Sequence, residues 1–238
     1  SAARPPARPM PQPTPRMAAQ SVLHQVLDRR RPLEEAIAEE PAWTKIHGRD
    51  RAFARLLVTT VLRRLGQIDD AIARFVQRQP EGRDAYIRHV LRLAVAQLMF
   101  LDTPPHAAVD QATRMTRGPG MKSMVNAVLR RLTEARATLF REQDAERLNL
   151  PDWLWRSWCE AYGEAATRAI VRAQMQDPPL DITLRDGQNA TVWAERLGGR
   201  VLPTGTIRLA KTTHVPNLDG YGQGAWWVQD AAAALPAR

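Results

Sequence analysis

The chain has 238 residues, of which 44% are hydrophobic and 25% charged, enough for one large or two modest buried cores and ordinary for a globular protein. No apolar run approaches the roughly 20 residues that span a bilayer. The Pro-rich N-terminal stretch does not read as a secretory leader, and with Cys159 as the only cysteine there is no internal disulfide framework, so a cytoplasmic location is expected. The net charge of +9 points toward a polyanionic partner. Against that, Lys45, Lys122 and Lys211 are the only lysines among 34 basic residues, an arginine bias that genomic base composition can also produce.

Residues 1–15 carry Pro5, Pro6, Pro9, Pro11, Pro13 and Pro15 and no helical period, the composition of a disordered or polyproline-like tail. Arg4, Arg8 and Arg16 add at most weak phosphate attraction. Met17, Val22, Val26 and Leu27 then mark an amphipathic helix ended near Pro32, and residues 33–40 a shorter one. Residues 50–65 place Phe53, Leu56, Leu57, Val61 and Leu62 at helical spacing, with Asp50 as the expected N-cap and Gly66 as the stop. Ile68, Ile72, Phe75 and Val76 continue the stripe. Residues 85–101 are apolar on most sides, which predicts a central buried helix. After Asp102-Thr103-Pro104-Pro105, a helix is expected from His106 or Ala107 to Arg117, and after Gly118-Pro119-Gly120 a long one over about 123–140. Together these predict an all-α bundle with short connections.

A second region begins near Asp144. Helices are expected from Pro151-Asp152 through Trp158 and over 164–175. After Pro178-Pro179 the texture changes to short strands at 181–185, 200–202, 207–209 and 226–228, with a helix at 190–197, a small α+β subdomain. Asp230 caps a final alanine-rich helix that meets no terminator before Arg238. The expectation is that this helix opens a further domain and that residues 229–238 pack badly without it.

Pro105-His106-Ala107-Ala108-Val109, the run Met124-Val125-Asn126-Ala127-Val128-Leu129-Arg130-Arg131, Arg49-Asp50-Arg51-Ala52-Phe53 and Val61-Leu62-Arg63 together resemble the NusB-like domain of the bacterial ribosomal RNA cytosine methyltransferases of the RsmB/Fmu/Sun family. Gln229-Asp230 is similar to the segment that enters that family's catalytic domain, and the resemblance runs in order from Arg16 to Arg238. It implies a mainly α chain: a tail over 1–15, a NusB-like helical RNA-binding domain over 16–142, linker helices over 143–178, a small α+β connecting subdomain over 179–229, and the start of a methyltransferase domain over 230–238. The resemblance implies that the Rossmann-like domain that binds S-adenosylmethionine would follow and is not among these residues. In the family, a cysteine attacks carbon 6 of cytosine, carbon 5 is methylated and a second cysteine assists elimination. Neither cysteine nor the cofactor loop has a counterpart here, so the chain alone is expected to be inactive, to hold no cofactor, and to have as partners ribosomal RNA and a C-terminal methyltransferase domain. Ala232-Ala233-Ala234 departs from the more polar family form at the junction.

Candidate RNA-contacting residues are Arg49, Arg51 and Arg55 at a helix start, Arg114, Arg117 and Lys122 around the Gly118-Pro119-Gly120 loop, and Arg130 and Arg131, with Arg136 and Arg141, along the long helix. Each also reads as a solvated helix face or loop. Asp50 offsets the cost of placing Arg49, Arg51 and Arg55 against the helix dipole, and Arg63 and Arg64 suit a helix end. Asn126 within an apolar stripe reads as a buried, hydrogen-bonded structural group. His106 reads as a capping or packing residue, Trp153, Trp155 and Trp158 as helix anchors, and Cys159 as a buried thiol. No metal is expected, since His24, His47, His89, His106 and His214 show no paired-ligand spacing. The leading function is RNA recognition for a ribosomal RNA methyltransferase. The alternatives are a free-standing NusB-type antitermination factor and a bundle that only supports a catalytic domain.

Overall fold

In a computed structural model of the chain, residues 12–78, 80–187, 189–209 and 215–235 are described. Two compact units divide between Met175 and Gln176.

The first unit is helical throughout. Helix α1 (Pro15–Leu23) starts on Thr14, whose hydroxyl accepts the Met17 amide, with Pro15 at the first helical position. It runs into a π-helical turn, His24–Asp28. Helices α2 (Leu33–Glu39), α3 (Pro41–Thr44), α4 (Gly48–Arg63) and α5 (Leu65–Ala73) follow, then α6 (Tyr86–Phe100), α7 (Pro105–Arg114) and α8 (Pro119–Glu142). Helix α6 is central as expected, and an unbroken run from His89 to Met99 is buried. Its apolar residues meet Val22 and Leu23 of α1, Leu57 and Val61 of α4, Ile68 and Ile72 of α5, and Val125 and Leu129 of α8 in one core. The tail expected over 1–15 has residues 1–11 outside the described set. Arg16 is not a loose tail cation: Gln97 Oε1 accepts its Nε and Nη2 at 3.0 and 2.6 Å, and its guanidinium lies 5.0 Å from the Phe53 ring centre.

Two helix boundaries correct the sequence reading. Helix α4 begins at Gly48, so Asp50 sits inside the first turn and His47 holds the cap position without a side-chain bond. Gly66 does not stop α4, which ends at Arg63. It lies inside α5, where an added Cβ would fall 1.7 Å from the Leu148 carbonyl oxygen. The missing side chain admits a neighbouring backbone.

That neighbour belongs to α9 (Ala145–Leu148), which is followed by α10 (Asp152–Tyr162) and α11 (Glu164–Gln174). Asp144 caps α9 through the Arg147 amide. Asn149 Oδ1 accepts the Gln67 amide at 3.1 Å and Asn149 Nδ2 donates to Gln67 Oε1 at 2.8 Å. Gln143 Nε2 donates to the Gln67 carbonyl at 2.9 Å. These bonds satisfy the buried Gln67 and fix α9 on α5. Trp155 and Trp158 pack with Leu150, Val171 and Met175, while Trp153 is exposed. The guanidiniums of Arg147 and Arg168 lie 5.2 and 5.0 Å from the Trp155 ring centre. Cys159 is half-buried rather than buried.

The second unit is a four-stranded antiparallel sheet in the order β2-β3-β1-β4, formed by β1 (Leu180–Leu184), β2 (Gly199–Val201), β3 (Ile207–Leu209) and β4 (Trp226–Val228). Helix α12 (Ala190–Leu197) covers one face, with Trp193, Ala194 and Leu197 over Ile182, Leu184, Ile207 and Trp226. Helix α13 (Ala231–Ala234) begins on Asp230 as expected. In the segment expected to pack badly, 229–238, two backbone amides are held at its start, while Asp230, Ala232 and Ala233 are exposed. Buried Asp181 accepts the Gln229 amide on its carbonyl at 3.0 Å and the Ala231 amide on Oδ2 at 3.1 Å. Leu235 is exposed, and 236–238 lie outside the described residues.

Candidate nucleic-acid interface

The sharp turn after α6 determines where a groove between α7 and α8 lies. Asp102 takes a left-handed φ of 47°, and Pro104 and Pro105 start α7. Gly118, at φ 78°, then turns the chain into α8, with Pro119 at its first position. Helix α8 therefore opens earlier than the expected 123, and its first two turns lie beside α7. Between α7 and α8 is an open groove of about 750 Å³, lined among others by His106, Val109, Asp110, Lys122, Asn126 and Arg130.

Lys122, Asn126 and Arg130 are spaced i, i+4, i+8 on one stripe of α8, so the two cations lie about 12 Å apart along the axis with the amide between them. All three are exposed, and neither cation has an ion-pair partner among the described residues. This corrects the reading of Asn126. It is not a buried structural group; its amide presents a donor and an acceptor to the groove. His106, too, is an exposed groove residue rather than a cap. Asp110 and Glu134 also line the groove, so it is mixed in charge, and Asp110 is engaged by Arg114 at 3.0 Å.

The other candidate cations separate. Arg131 follows Arg130 directly and so points about 100° away around the helix; the two do not form one face. Arg136 is held by the Met99 carbonyl and Asp102, each at 3.2 Å. Arg55 is engaged by Glu34 Oε1 at 2.5 Å and Arg51 donates to the Trp43 carbonyl at 3.2 Å, which leaves Arg49 as the unengaged cation of that cluster among the described residues. Arg117 is exposed and its backbone amide is fixed by the Tyr86 hydroxyl at 2.9 Å. The structure thus brings Lys122 and Arg130 together with Asn126 and does not gather the predicted set into one surface.

A grouping absent from the sequence reading lies elsewhere. His24, Asp28 and His89 each place a ligand atom within 4.8 Å of the other two. The i, i+4 pair His24 and Asp28 was visible in the sequence; His89 is 61 residues further on and joins them only in the fold. His214 lies outside the described residues.

A Rossmann-like cofactor crevice opens at the carboxyl ends of parallel strands. The strand pairs described in the second unit are all antiparallel, so they do not build such a crevice. No helix among them is long and apolar enough to cross a membrane.

The fold and groove define a class: a helical bundle whose longest helix carries a cationic polar stripe, joined in sequence to a small antiparallel α+β unit. The family model for the NusB family matches residues 13–134, and the chain belongs to that family. It is also 29% identical over 231 residues to ribosomal RNA small subunit methyltransferase B of Escherichia coli (strain K12) and to the protein of the same name from Shigella boydii serotype 18, in each case over 91% of this chain and 53% of the relative. The chain thus spans about half the length of these curated relatives. The crystal structure of PH0851 shares the fold over 97% of this chain and 55% of that one, with a TM-score of 0.54 and 16% identity. The expected mainly α architecture, a NusB-like bundle followed by linker helices and a small α+β subdomain, is what the structure shows, and its sheet is antiparallel.

Proposed function

We propose that this chain is the RNA-binding N-terminal region of an S-adenosylmethionine-dependent 16S ribosomal RNA (cytosine-5-)-methyltransferase, acting in the cytoplasm and positioning ribosomal RNA for a catalytic domain outside the 238 residues. The observation that carries this reading is that similarity to ribosomal RNA small subunit methyltransferase B extends over 91% of the chain, well beyond the NusB-family match at 13–134. A free-standing antitermination factor does not account for the similarity outside the bundle.

The α7–α8 groove supports the RNA part of the reading. Single-stranded RNA offers unstacked base edges flanked by phosphates. Asn126 can read a base edge, Val109 supplies an apolar wall, and Lys122 and Arg130 are placed for phosphates on either side. The test is a charge reversal at Lys122 and Arg130 (K122E with R130E) against R131E as a control on the other side of the helix. Fluorescence anisotropy with a ribosomal RNA hairpin should show at least about a tenfold loss for the groove pair and little for the control, with unchanged circular dichroism melts. Equal losses for both would reduce the effect to overall charge.

A further inference from the structure

The polar cluster beneath α1 is independent of the RNA reading. The π-helical turn His24–Asp28 is closed by the Arg29 amide on the His24 carbonyl at 3.2 Å, an i to i+5 bond. Such turns insert one residue into a helix and recur at functional positions. Here the turn brings the His24 and Asp28 side chains over α6, where the fully buried His89 meets them. Asp28 Oδ2 is 2.7 Å from His24 Nδ1 and 2.8 Å from His89 Nε2. His24 and Asp28 keep 42% and 29% of their side chains exposed, so the cluster is open to water on one side and closed on the other.

We infer that His24, Asp28 and His89 form a binding site for one divalent transition-metal ion of the Zn²⁺ or Co²⁺ type, with water completing the coordination. Two imidazoles and one carboxylate are a donor set suited to borderline ions rather than to Mg²⁺ or Ca²⁺. Ligand distances of about 2.0–2.2 Å put neighbouring donors about 3.3 Å apart, so the carboxylate must draw back from each ring by about half an ångström. The exposure of Asp28 permits this.

Burial pushes the His89 imidazole below its ordinary value, although Asp28 opposes this, so the ring is neutral over a wider pH range. Burial works to raise the Asp28 carboxyl, but hydrogen bonds from His89 and His24 outweigh it and hold it down to about 2. The groups charged against a cation are few. Arg92 Nη1 stands 3.4 Å from His89 Nδ1, a long contact, and Asp69 engages the same guanidinium through two bonds of 2.7 Å. Ligation through Nε2 leaves the His89 proton on Nδ1, so the Arg92 contact is given up and the Asp69 pair retains the arginine. The bound ion would pin the π turn to α6.

The test is titration of chelator-treated, untagged protein with Co²⁺ and then Zn²⁺. One equivalent of Co²⁺ should give visible d–d absorption, displaced by Zn²⁺, and in the unaltered protein should shift the ring resonances of His24 and His89 in NMR spectra. His24→Ala and Asp28→Asn should each weaken binding by at least about tenfold. Absence of saturable binding, unshifted His24 and His89 resonances, or unchanged affinity in folded His24→Ala would overturn the site.

Discussion

At Gly66 the α-carbon lies against the Leu148 carbonyl, and the clash an added methyl would make is with backbone, which cannot rotate away. Gly66→Ala should therefore destabilise the first unit by about 3 kcal/mol, as overpacking of a tight contact does, although the same change in an ordinary exposed helix position is favourable. Urea denaturation of the two proteins measures it. Asp181 makes a second residue-scale prediction. The Arg208 guanidinium, at 2.7 and 2.8 Å, and the Ala231 amide hold its carboxyl below the ordinary 3.8 against the opposing effect of burial. A depressed folded value means the contribution is present above the unfolded pKa and is lost as pH falls through the folded one. The exchange free energy of amides in the described strands of the second unit should fall on acidification below about pH 4, and Asp181→Asn should weaken that dependence. A pH-independent exchange free energy would contradict the assignment. Neither residue's role is local in sequence: Gly66 reads as a helix stop and Asp181 as a strand residue until Leu148 and Arg208 are placed beside them.

Among the elements, those with a strong internal period were legible in the sequence. The all-round apolarity of 85–101 identifies buried α6, Ala190–Leu197 is found as expected, and Trp226–Val228 is a strand. Boundaries set by backbone punctuation were misplaced, because Gly48 and Pro119 start helices before any apolar stripe begins. The site was legible in part. Lys122 and Arg130 were named from their charge, but Asn126 was misjudged, since its apolar neighbours Val125 and Val128 face the core while it faces the groove. Adjacency in sequence also suggested an Arg130-Arg131 pair that helical geometry separates. His89 could not be paired with Asp28 without the fold. The closing strand β4 makes an element-scale prediction. Trp226 is fully buried, and its Nε1 donates to the Asp219 carbonyl at 2.8 Å. Trp226→Ala should cost the second unit about 3–5 kcal/mol, whereas Trp227→Ala, with 44% of that residue exposed, should cost well under half as much. Hydrogen exchange of β1 amides in the two variants measures the difference.

For the molecule as a whole, NusB-family membership, a net charge of +9 and a groove with two cations that have no ion-pair partner among the described residues support the RNA-binding proposal. Charge alone makes a weaker case, because much of the arginine is occupied within the protein: Arg16 on Gln97, Arg92 on Asp69, Arg168 on Asp144 and Arg208 on Asp181. A protein whose basicity is mainly structural binds polyanions weakly and without preference. One with a built groove binds single-stranded RNA by a limited number of phosphate contacts. The most direct discrimination is fluorescence anisotropy of the chain with a ribosomal RNA hairpin and with duplex DNA across a salt series, for the unaltered protein and for K122E with R130E. The account predicts preference for the RNA, a linear fall of log affinity with log salt, and a slope smaller by about 1.4 in the double variant, as expected for two lost single-strand phosphate contacts. Equal affinity for RNA and DNA, with the same slope in both proteins, would contradict it.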